Sequence, residues 1–172
     1  MAIVYKGRVF SVEEMRRRFP NGQEHDVAVV RHAPSVVLIP MEADGRVVLI
    51  RQYRAAIDRE LWEFPAGRVD ENESAEDAAR RECEEEIVRV PDRVERLGAF
   101  YPTPGYCDEL LIFFRVSELR QPPADSPHHP DEDEDIAPKA VTIAQARAML
   151  QRGEIVDLKT AYALTMFEPR AD

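Results

Sequence analysis

The chain has 172 residues, 44% of them hydrophobic, which suffices for one sizeable core, and we expect one domain over residues 1–172. Its 33 acidic and 23 basic residues give a net charge of −10, which repels polyanions and disfavours nucleic acid as a partner. Lys6, Arg8 and Glu13 interrupt the N-terminus before any signal peptide or membrane span can form, so we expect a cytoplasmic protein with no membrane partner.

The first half of the chain is predicted to be rich in strands, and further strands are predicted up to residue 116. Ala43, Asp44 and Gly45 indicate a hairpin turn between two of them. A strongly helical stretch then interrupts the strands, so the order of elements predicts an α/β architecture with helices packed on a mixed sheet. The runs of β-branched and aliphatic residues that predict the strands are 27–30, 36–39, 47–50, 61–64, 94–101 and 110–116.

The last third is predicted to hold a loop and two helices. Residues 121–135 are rich in Pro, His, Asp and Glu, which indicates a mobile surface loop. Thr142 and Gln145 resemble a capping box that opens a helix, and Gly153 is placed to end it. Asp157 is placed to cap the final helix.

The helical stretch over residues 74–87 is the most informative segment. Ser74 and Asp77 supply the S-x-x-[DE] pattern of a helix start. At about 100° per residue, one apolar stripe must face the sheet. We expect Arg80, Arg81 and Glu84 to point outward. The stripe consists of Ala75, Ala79, Cys83 and Ile87.

Three acidic residues lie close to this apolar stripe. Glu82 and Glu86 fall at its edge, and Glu85 lies further round on the same flank. Like charges four residues apart repel, and partial burial raises the penalty because ionised carboxylates lose water. The compensating charge is either a neighbouring guanidinium such as that of Arg81, or a hard divalent cation, which prefers carboxylate oxygens.

The spacing around this helix resembles the Nudix box, G-x5-E-x7-R-E-U-x-E-E-x-G-U, in which U is a bulky apolar residue. The end of the box departs from the pattern, since Val88 replaces Gly and Arg89 replaces an apolar residue. Glycine there normally permits the left-handed conformation that closes a helix, so Val88 predicts another geometry or a helix that continues toward Pro91. The matching residues are Gly67, Glu73, Arg81, Glu82, Glu85 and Glu86.

The resemblance implies a Nudix fold, a mixed β-sheet sandwiched between α-helices, and a metal site. Glu82 and Glu86 would be the principal ligands of two or more Mg²⁺ or Mn²⁺ ions. Glu85 would contribute to catalysis or hold a second ion, and the backbone carbonyl of Ala66 would complete the ligand set. Glu73 and Arg81 would form salt bridges that orient the loop and the helix.

Segments outside the box resemble the ADP-ribose pyrophosphatase branch of the family. They are residues 51–54 (RQYR), 61–67 (LWEFPAG) and 101–109 (YPTPGYCDE), the last with Pro104 where the branch carries a proline.

In that branch, an arginine at the position of Arg54 binds the diphosphate, which suits a planar, permanently charged donor. Arg51 is a weaker candidate, because strand residues near the surface are often charged. Glu63 and Glu109 would bind ribose hydroxyls or orient catalytic groups, and ordinary ion pairing is the alternative for each.

Residues 131–136 (DEDEDI) resemble the family segment that brings a glutamate over the metal site to activate the attacking water. Glu132 is the first choice for this base and Glu134 the second. Without the resemblance, the same run would be interpreted as a solvated acidic loop.

The expected reaction is the hydrolysis of ADP-ribose, a nucleoside diphosphate substrate, to AMP and ribose 5-phosphate. An NDP-sugar or GDP-mannose pyrophosphatase and a non-catalytic sensor of ADP-ribose are the alternatives. Members of the branch commonly form homodimers, so the resemblance also implies a homodimer in which N-terminal strands, about residues 1–34, are exchanged.

Overall fold

The computed structural model describes residues 2–129 and 136–167. In these residues the predicted strand runs and helices occur in the predicted order, and further strands, among them the first two at the N-terminus, were not predicted from the runs of apolar residues. The strands are β1 (Ala2–Lys6), β2 (Phe10–Arg18), β3 (Glu24–His32), β4 (Ser35–Pro40), β5 (Val47–Arg54), β6 (Arg59–Glu63), β7 (Ala66–Arg68), β8 (Val90–Phe100), β9 (Leu111–Arg120) and β10 (Ala137–Val141). The helices are α1 (Ala75–Ile87), α2 (Ile143–Gln151) and α3 (Leu158–Thr165).

The central sheet is mixed and has the strand order β7-β4-β9-β8. β4 and β9 are parallel, and the other neighbours are antiparallel. All six residues of β4 are buried, and its four aliphatic residues alternate between two hydrophobic clusters. Val36 and Leu38 pack with α1, whereas Val37 and Ile39 pack with α2 and α3. The predicted fold, a mixed sheet between helices, is confirmed.

Two smaller sheets accompany the central one. β10, β5 and β6 form an antiparallel sheet, and β1, β2 and β3 form another at the N-terminus. The backbone of Val30 in β3 pairs with Tyr106 and Asp108, through N···O distances of 2.7 and 3.1 Å. The N-terminal sheet is therefore attached to the loop that precedes β9.

The helix starts agree with the sequence analysis. Ser74 accepts a hydrogen bond from the backbone of Asp77 at the start of α1, and Thr142 and Gln145 form the predicted capping box at the start of α2. Asp157 caps α3. None of the helices in the described ranges is long and apolar enough to cross a membrane.

The end of α1 differs from the prediction. Val88 itself adopts the left-handed conformation, with φ 55° and ψ 47°, and its N–H donates to the carbonyl oxygen of Glu84 at 3.0 Å. The helix therefore ends as it would with glycine and does not continue toward Pro91, because β8 already begins at Val90. A β-branched residue in this conformation is strained.

Candidate active site

One flank of α1 carries the acidic residues of the box. Glu82 and Glu86 are 9% and 6% exposed, and the side chain of Glu85 is 22% exposed. Ala79 and Cys83 beside them are fully buried in the cluster that packs on the central sheet. The prediction that these carboxylates lie at the edge of the buried face is confirmed.

This flank opens into a cavity of about 890 Å³, which is large enough for a nucleotide-sized ligand. Side chains from α1 line one part of the cavity, and the ends of β5 and β6 and the start of α3 line another. The charged residues among them include Arg54, Glu63, Glu82, Glu85, Glu86 and Lys159.

Arg81 joins the acidic residues of α1 to the loop before the helix. Its Nε and Nη2 each donate to Glu73 at 3.0 Å, while Nη1 donates to Glu82 at 2.6 Å and to Glu85 at 2.8 Å. The prediction that Arg81 points outward is wrong, because these carboxylates draw its guanidinium back along the helix and leave the side chain 16% exposed. The salt bridge predicted between Glu73 and Arg81 is present.

The ion pair fixes the charge of both partners. The hydrogen bonds from Arg81 hold the pKa of Glu73 below its ordinary value. The hydrogen bond to Glu73, with the charges of the neighbouring carboxylates, raises the pKa of Arg81 although burial opposes it. Both groups are therefore ionised at neutral pH.

The outward direction predicted for Glu84 is also wrong, since this residue is only 6% exposed. The reason is the packing of β8 against α1. The Arg80 guanidinium, one turn earlier, donates to the carbonyl oxygen of Pro91 at 2.6 Å, so the start of β8 covers this side of the helix. The buried face of α1 is thus wider than its apolar stripe.

The backbone of β7 contacts the carboxylates directly. The Ala66 N–H donates to Oε2 of Glu86 at 2.8 Å. A β-carbon at Gly67 would lie 1.9 Å from Cδ of Glu82, so only glycine leaves room for that carboxylate. The observed contact of Ala66 is made by its amide, and the role of its carbonyl oxygen as a metal ligand stays a prediction.

The donor set on this flank fits a hard divalent cation. Three carboxylates next to a strand backbone supply oxygen ligands, which Mg²⁺ and Mn²⁺ prefer. Within the described residues, no three acidic, His or Cys side chains already converge on one point. The Nη1 of Arg81 bridges Glu82 and Glu85 and supplies a positive charge between these two carboxylates.

A second cluster of charged side chains, Arg54, Glu63 and Lys159, lies where β6 meets α3. Arg54 donates to Glu63 through both Nε and Nη2, each at 2.8 Å, and the Lys159 ammonium contacts the same carboxylate. Glu63 is 1% exposed. Burial alone raises the pKa of Glu63, but the hydrogen bonds and charges of Arg54 and Lys159 outweigh burial and hold it below its ordinary value.

The sequence predicts Arg54 and Glu63 as residues of the site, whereas Lys159 was not predicted. Asp157 was recognised only as a helix cap, although it also contacts the Lys159 ammonium at 3.1 Å. The available signal was a lysine two residues after a helix cap, which is common on surfaces. The burial of Lys159 depends on its contact with Glu63, which lies 96 residues earlier in the chain.

The structure does not bring every predicted substrate residue to the cavity. Arg51 forms an ion pair with Glu60 on the exposed side of the β5–β6 pair, because strand residues alternate in direction. Pro104 lies in an exposed turn, where the carbonyl oxygen of Thr103 accepts a hydrogen bond from Cys107 at 3.1 Å. Neither Arg51 nor Pro104 is among the residues that line the cavity.

Glu109 does line the cavity, together with Ser35 and His32. The Ser35 hydroxyl donates to Oε1 of Glu109 at 2.9 Å, and Nδ1 of His32 lies 3.6 Å from the same oxygen. This polar group can both donate and accept hydrogen bonds, as recognition of sugar hydroxyls requires.

The two candidate bases, Glu132 and Glu134, lie outside the described residues. The segment that leads to them reaches the carboxylate flank, since Nδ1 of His128 lies 3.6 Å from Oε1 of Glu85. The sequence analysis had assigned no role to His128.

The fold and the carboxylate flank together define a family. The family model of the NUDIX domain matches residues 31–161, and the chain therefore belongs to the Nudix family. A curated relative, an ADP-ribose pyrophosphatase of Bacillus subtilis, is 30% identical over 161 residues, which cover 94% of this chain and 86% of the relative. A GDP-mannose pyrophosphatase of Citrobacter koseri is 33% identical over 150 residues, covering 79% of this chain and 78% of that protein.

A solved structure described as an ADP compounds hydrolase has the same fold. It superposes with a TM-score of 0.81 and covers 96% of this chain and 88% of that one, at 23% sequence identity. The arrangement of strands and helices is therefore shared at low sequence similarity.

Proposed function

We propose that the protein hydrolyses the pyrophosphate bond of ADP-ribose, with the help of a divalent metal ion, to give AMP and ribose 5-phosphate. The placement of three carboxylates and the Arg54 guanidinium around one cavity carries this proposal, because a diphosphate with its metal ions needs both kinds of group. The relative from Bacillus subtilis, named an ADP-ribose pyrophosphatase, supports the choice of substrate.

We assign two or more Mg²⁺ ions, or Mn²⁺, to Glu82, Glu85, Glu86 and the carbonyl oxygen of Ala66. When bound, the ions neutralise the diphosphate and make a coordinated water more acidic. The N–H of Ala66 orients Glu86 through its hydrogen bond of 2.8 Å. Gly67 admits the Glu82 carboxylate to the same place.

Arg54 binds the diphosphate in this proposal. Its side chain is 39% exposed and lines the cavity, while Glu63 behind it is almost fully buried. Because Glu63 holds two of its nitrogens, the guanidinium is oriented before the substrate arrives, which reduces the entropy cost of binding. Glu63 therefore positions a substrate-binding group, and both of its oxygens already accept hydrogen bonds from Arg54.

Glu132 takes the proton from the attacking water, with Glu134 as the second choice. The contact of His128 with Glu85 supports this assignment. Glu132 is the fourth residue after His128, and four steps of extended chain span at most about 14 Å. The base is thus within reach of the carboxylate flank.

Glu109 binds a ribose hydroxyl of the substrate. Its carboxylate is fixed by the Ser35 hydroxyl and keeps acceptor capacity toward the cavity. Pro104 and Arg51 are weaker candidates for substrate contact, since both stand outside the cavity walls.

An NDP-sugar or GDP-mannose pyrophosphatase is the second candidate, favoured by the similarity to the protein of Citrobacter koseri. A non-catalytic ADP-ribose sensor is a third, and the presence of all three box carboxylates argues against it.

The test is a substrate panel of ADP-ribose, ADP-glucose, GDP-mannose, NADH and a diadenosine polyphosphate in the presence of Mg²⁺, with products separated by chromatography. AMP and ribose 5-phosphate released fastest from ADP-ribose support the proposal. Faster hydrolysis of GDP-mannose supports the second candidate. Tight binding of ADP-ribose without hydrolysis of any member supports the sensor.

We further propose a cytoplasmic homodimer with no nucleic-acid partner. The exposed apolar side chains of Ile3, Val4 and Tyr5 on the N-terminal sheet support a subunit interface. The free thiols of Cys83 and Cys107 suit a reducing compartment, and the charge of −10 disfavours nucleic acid. A monomeric mass by light scattering would contradict the dimer.

A further inference from the structure

Lys159 is a buried cation in the wall of the cavity. Its side chain is 12% exposed, and the ammonium contacts the carboxylates of Glu63 and Asp157. Burying an ammonium is unfavourable unless other groups replace its water. Lys159 is nevertheless among the residues that line the cavity, the space that the proposed function assigns to the substrate.

Arg54 and Lys159 share one carboxylate, that of Glu63. Glu63 is 1% exposed, whereas the side chains of Arg54 and Lys159 are 39% and 12% exposed. All three residues line the cavity, and both cations are more exposed than the carboxylate that they share. Such an arrangement holds two like charges close together without a ligand and presents both to an incoming anion.

The charges that act on Arg54 place this pair near the carboxylates of α1. The hydrogen bond to Glu63 raises the pKa of Arg54, and the charges of Glu86 and Asp157 add to this, although burial opposes it. Lys159 lies next to Arg54, because it contacts the Glu63 carboxylate that Arg54 also contacts. A diphosphate held between metal ions and Arg54 has phosphate oxygens that these groups leave without a partner.

We propose that Lys159 is a second cationic residue for substrate binding, which contacts a phosphate oxygen next to the one bound by Arg54. This inference rests on the proposed function, because it assigns the cavity to a phosphate-containing substrate. Lysine suits the role as a compact charge with three donors, of which Glu63 and Asp157 account for two.

The Thr160 hydroxyl, next to Lys159, fixes the start of α3. It donates to Oδ2 of Asp157 at 2.6 Å and accepts from the Phe64 N–H at 2.8 Å, so it joins the end of β6 to α3. The Lys159 ammonium contacts the same oxygen of Asp157 but does not contact Phe64. Thr160→Val therefore removes the link between β6 and α3 and keeps the ammonium, which makes it a variant for the structural contribution of this segment.

The experiment compares Lys159→Gln, Lys159→Arg and Thr160→Val with the wild type. Kinetic constants are measured with the nucleoside diphosphate sugar that the wild type hydrolyses fastest, and the Kd for ADP-ribose is measured by calorimetry. A hydrogen bond to a charged group contributes about 1.5–3 kcal/mol, so we expect Lys159→Gln to raise KM and Kd about tenfold or more. We expect kcat to change less than KM.

Lys159→Arg keeps the charge and should recover most of the affinity, whereas Thr160→Val should lower the Tm and leave KM within about twofold of the wild type. The proposal is overturned if Lys159→Gln lowers the Tm while KM and Kd stay unchanged, or if Thr160→Val raises KM equally. A wild type that binds ADP-ribose without hydrolysing any substrate would contradict the proposed function alone, since the Kd of Lys159→Gln still decides the role of Lys159.

Discussion

Gly67 and Glu82 are in such close contact that a β-carbon at position 67 would lie 1.9 Å from both Cδ and Oε1 of the glutamate. No real structure tolerates that distance, and the obstacle would be a buried side chain of α1. The glycine of the box is therefore required by the carboxylate opposite it, in addition to any need for backbone freedom.

Gly67→Ala should displace the Glu82 carboxylate and lower kcat/KM by about 100-fold or more, because misplacing a reacting group by an ångström has effects of that order. Steady-state kinetics over a range of Mg²⁺ concentrations measures the loss. Gly105→Ala is the matched control for stability, since a β-carbon there meets no atom within 4 Å. An unchanged kcat/KM in Gly67→Ala would contradict the role given to Glu82.

Glu86→Gln should reduce turnover by about 100-fold or more, because a neutral amide is a poor ligand for a hard cation and metal polarisation contributes several kcal/mol. The circular dichroism spectrum should stay that of the wild type. Glu76→Gln, an exposed change on the same helix, should keep full activity. Normal turnover in Glu86→Gln would disprove the metal assignment.

Val88→Gly should stabilise the protein by about 1 kcal/mol, because glycine adopts the left-handed conformation without the penalty of a β-branched residue. Urea denaturation monitored by circular dichroism measures the change. The control is Val156→Gly, an exposed valine whose φ is not positive, and there the same substitution should not stabilise. Equal effects at both positions would argue against strain at Val88.

The Glu73–Arg81 ion pair should make the free energy of unfolding depend on pH in the acidic range. The pKa of Glu73 is lower in the folded protein than its ordinary value of 4.5, so the pair stabilises the fold above that pH. The stabilisation is lost as the pH falls through the lowered value. Glu73→Gln should therefore be less stable than the wild type at neutral pH, and the difference should shrink on acidification.

Urea midpoints measured at neutral pH and at several values below pH 4.5 test this dependence. Glu71→Gln, at an exposed position in the same loop, serves as the control and should show the pH dependence of the wild type. A constant difference between Glu73→Gln and the wild type at all pH values would show that the ion pair does not set the acid response.

The two cysteines should differ in reactivity. Burial raises the pKa of the Cys83 thiol to about 12, and its side chain is fully buried, whereas Cys107 is partly exposed. A disulfide reagent at neutral pH should label one thiol per native chain and two in denaturant, with Cys107→Ser removing the rapid reaction. Rapid labelling of Cys107→Ser would contradict the packing of α1.

The features that the sequence predicts well are those encoded locally. The start of α1 follows from Ser74 and Asp77, three residues apart, and the burial of Glu82 and Glu86 follows from their position beside a helical stripe. The box motif also identifies Gly67, which leaves room for the Glu82 carboxylate where β7 contacts α1. The helix start and the box motif are therefore recognisable from residues that are close together in the sequence.

The features that the sequence did not predict depend on contacts between distant parts of the chain. Arg81 turns back because Glu73 lies in the preceding loop, and Glu84 is buried because β8 covers it. β2 was missed because its strand signals are masked by acidic residues and three consecutive arginines, among them Arg17. Lys159 is buried because it contacts Glu63 of β6, and no local sequence pattern shows that β6 lies next to α3.

The contact between Glu63 and Lys159 also has a consequence for the synthesis of the protein. At about 5–20 residues per second, a ribosome needs about 5–20 seconds to add the 96 residues from Glu63 to Lys159. In the later part of that time the nascent chain already contains the box helix and Arg54, but Lys159 has not yet been added. We therefore expect the cavity wall around Glu63 to be completed only when the last helix of the chain has been synthesised.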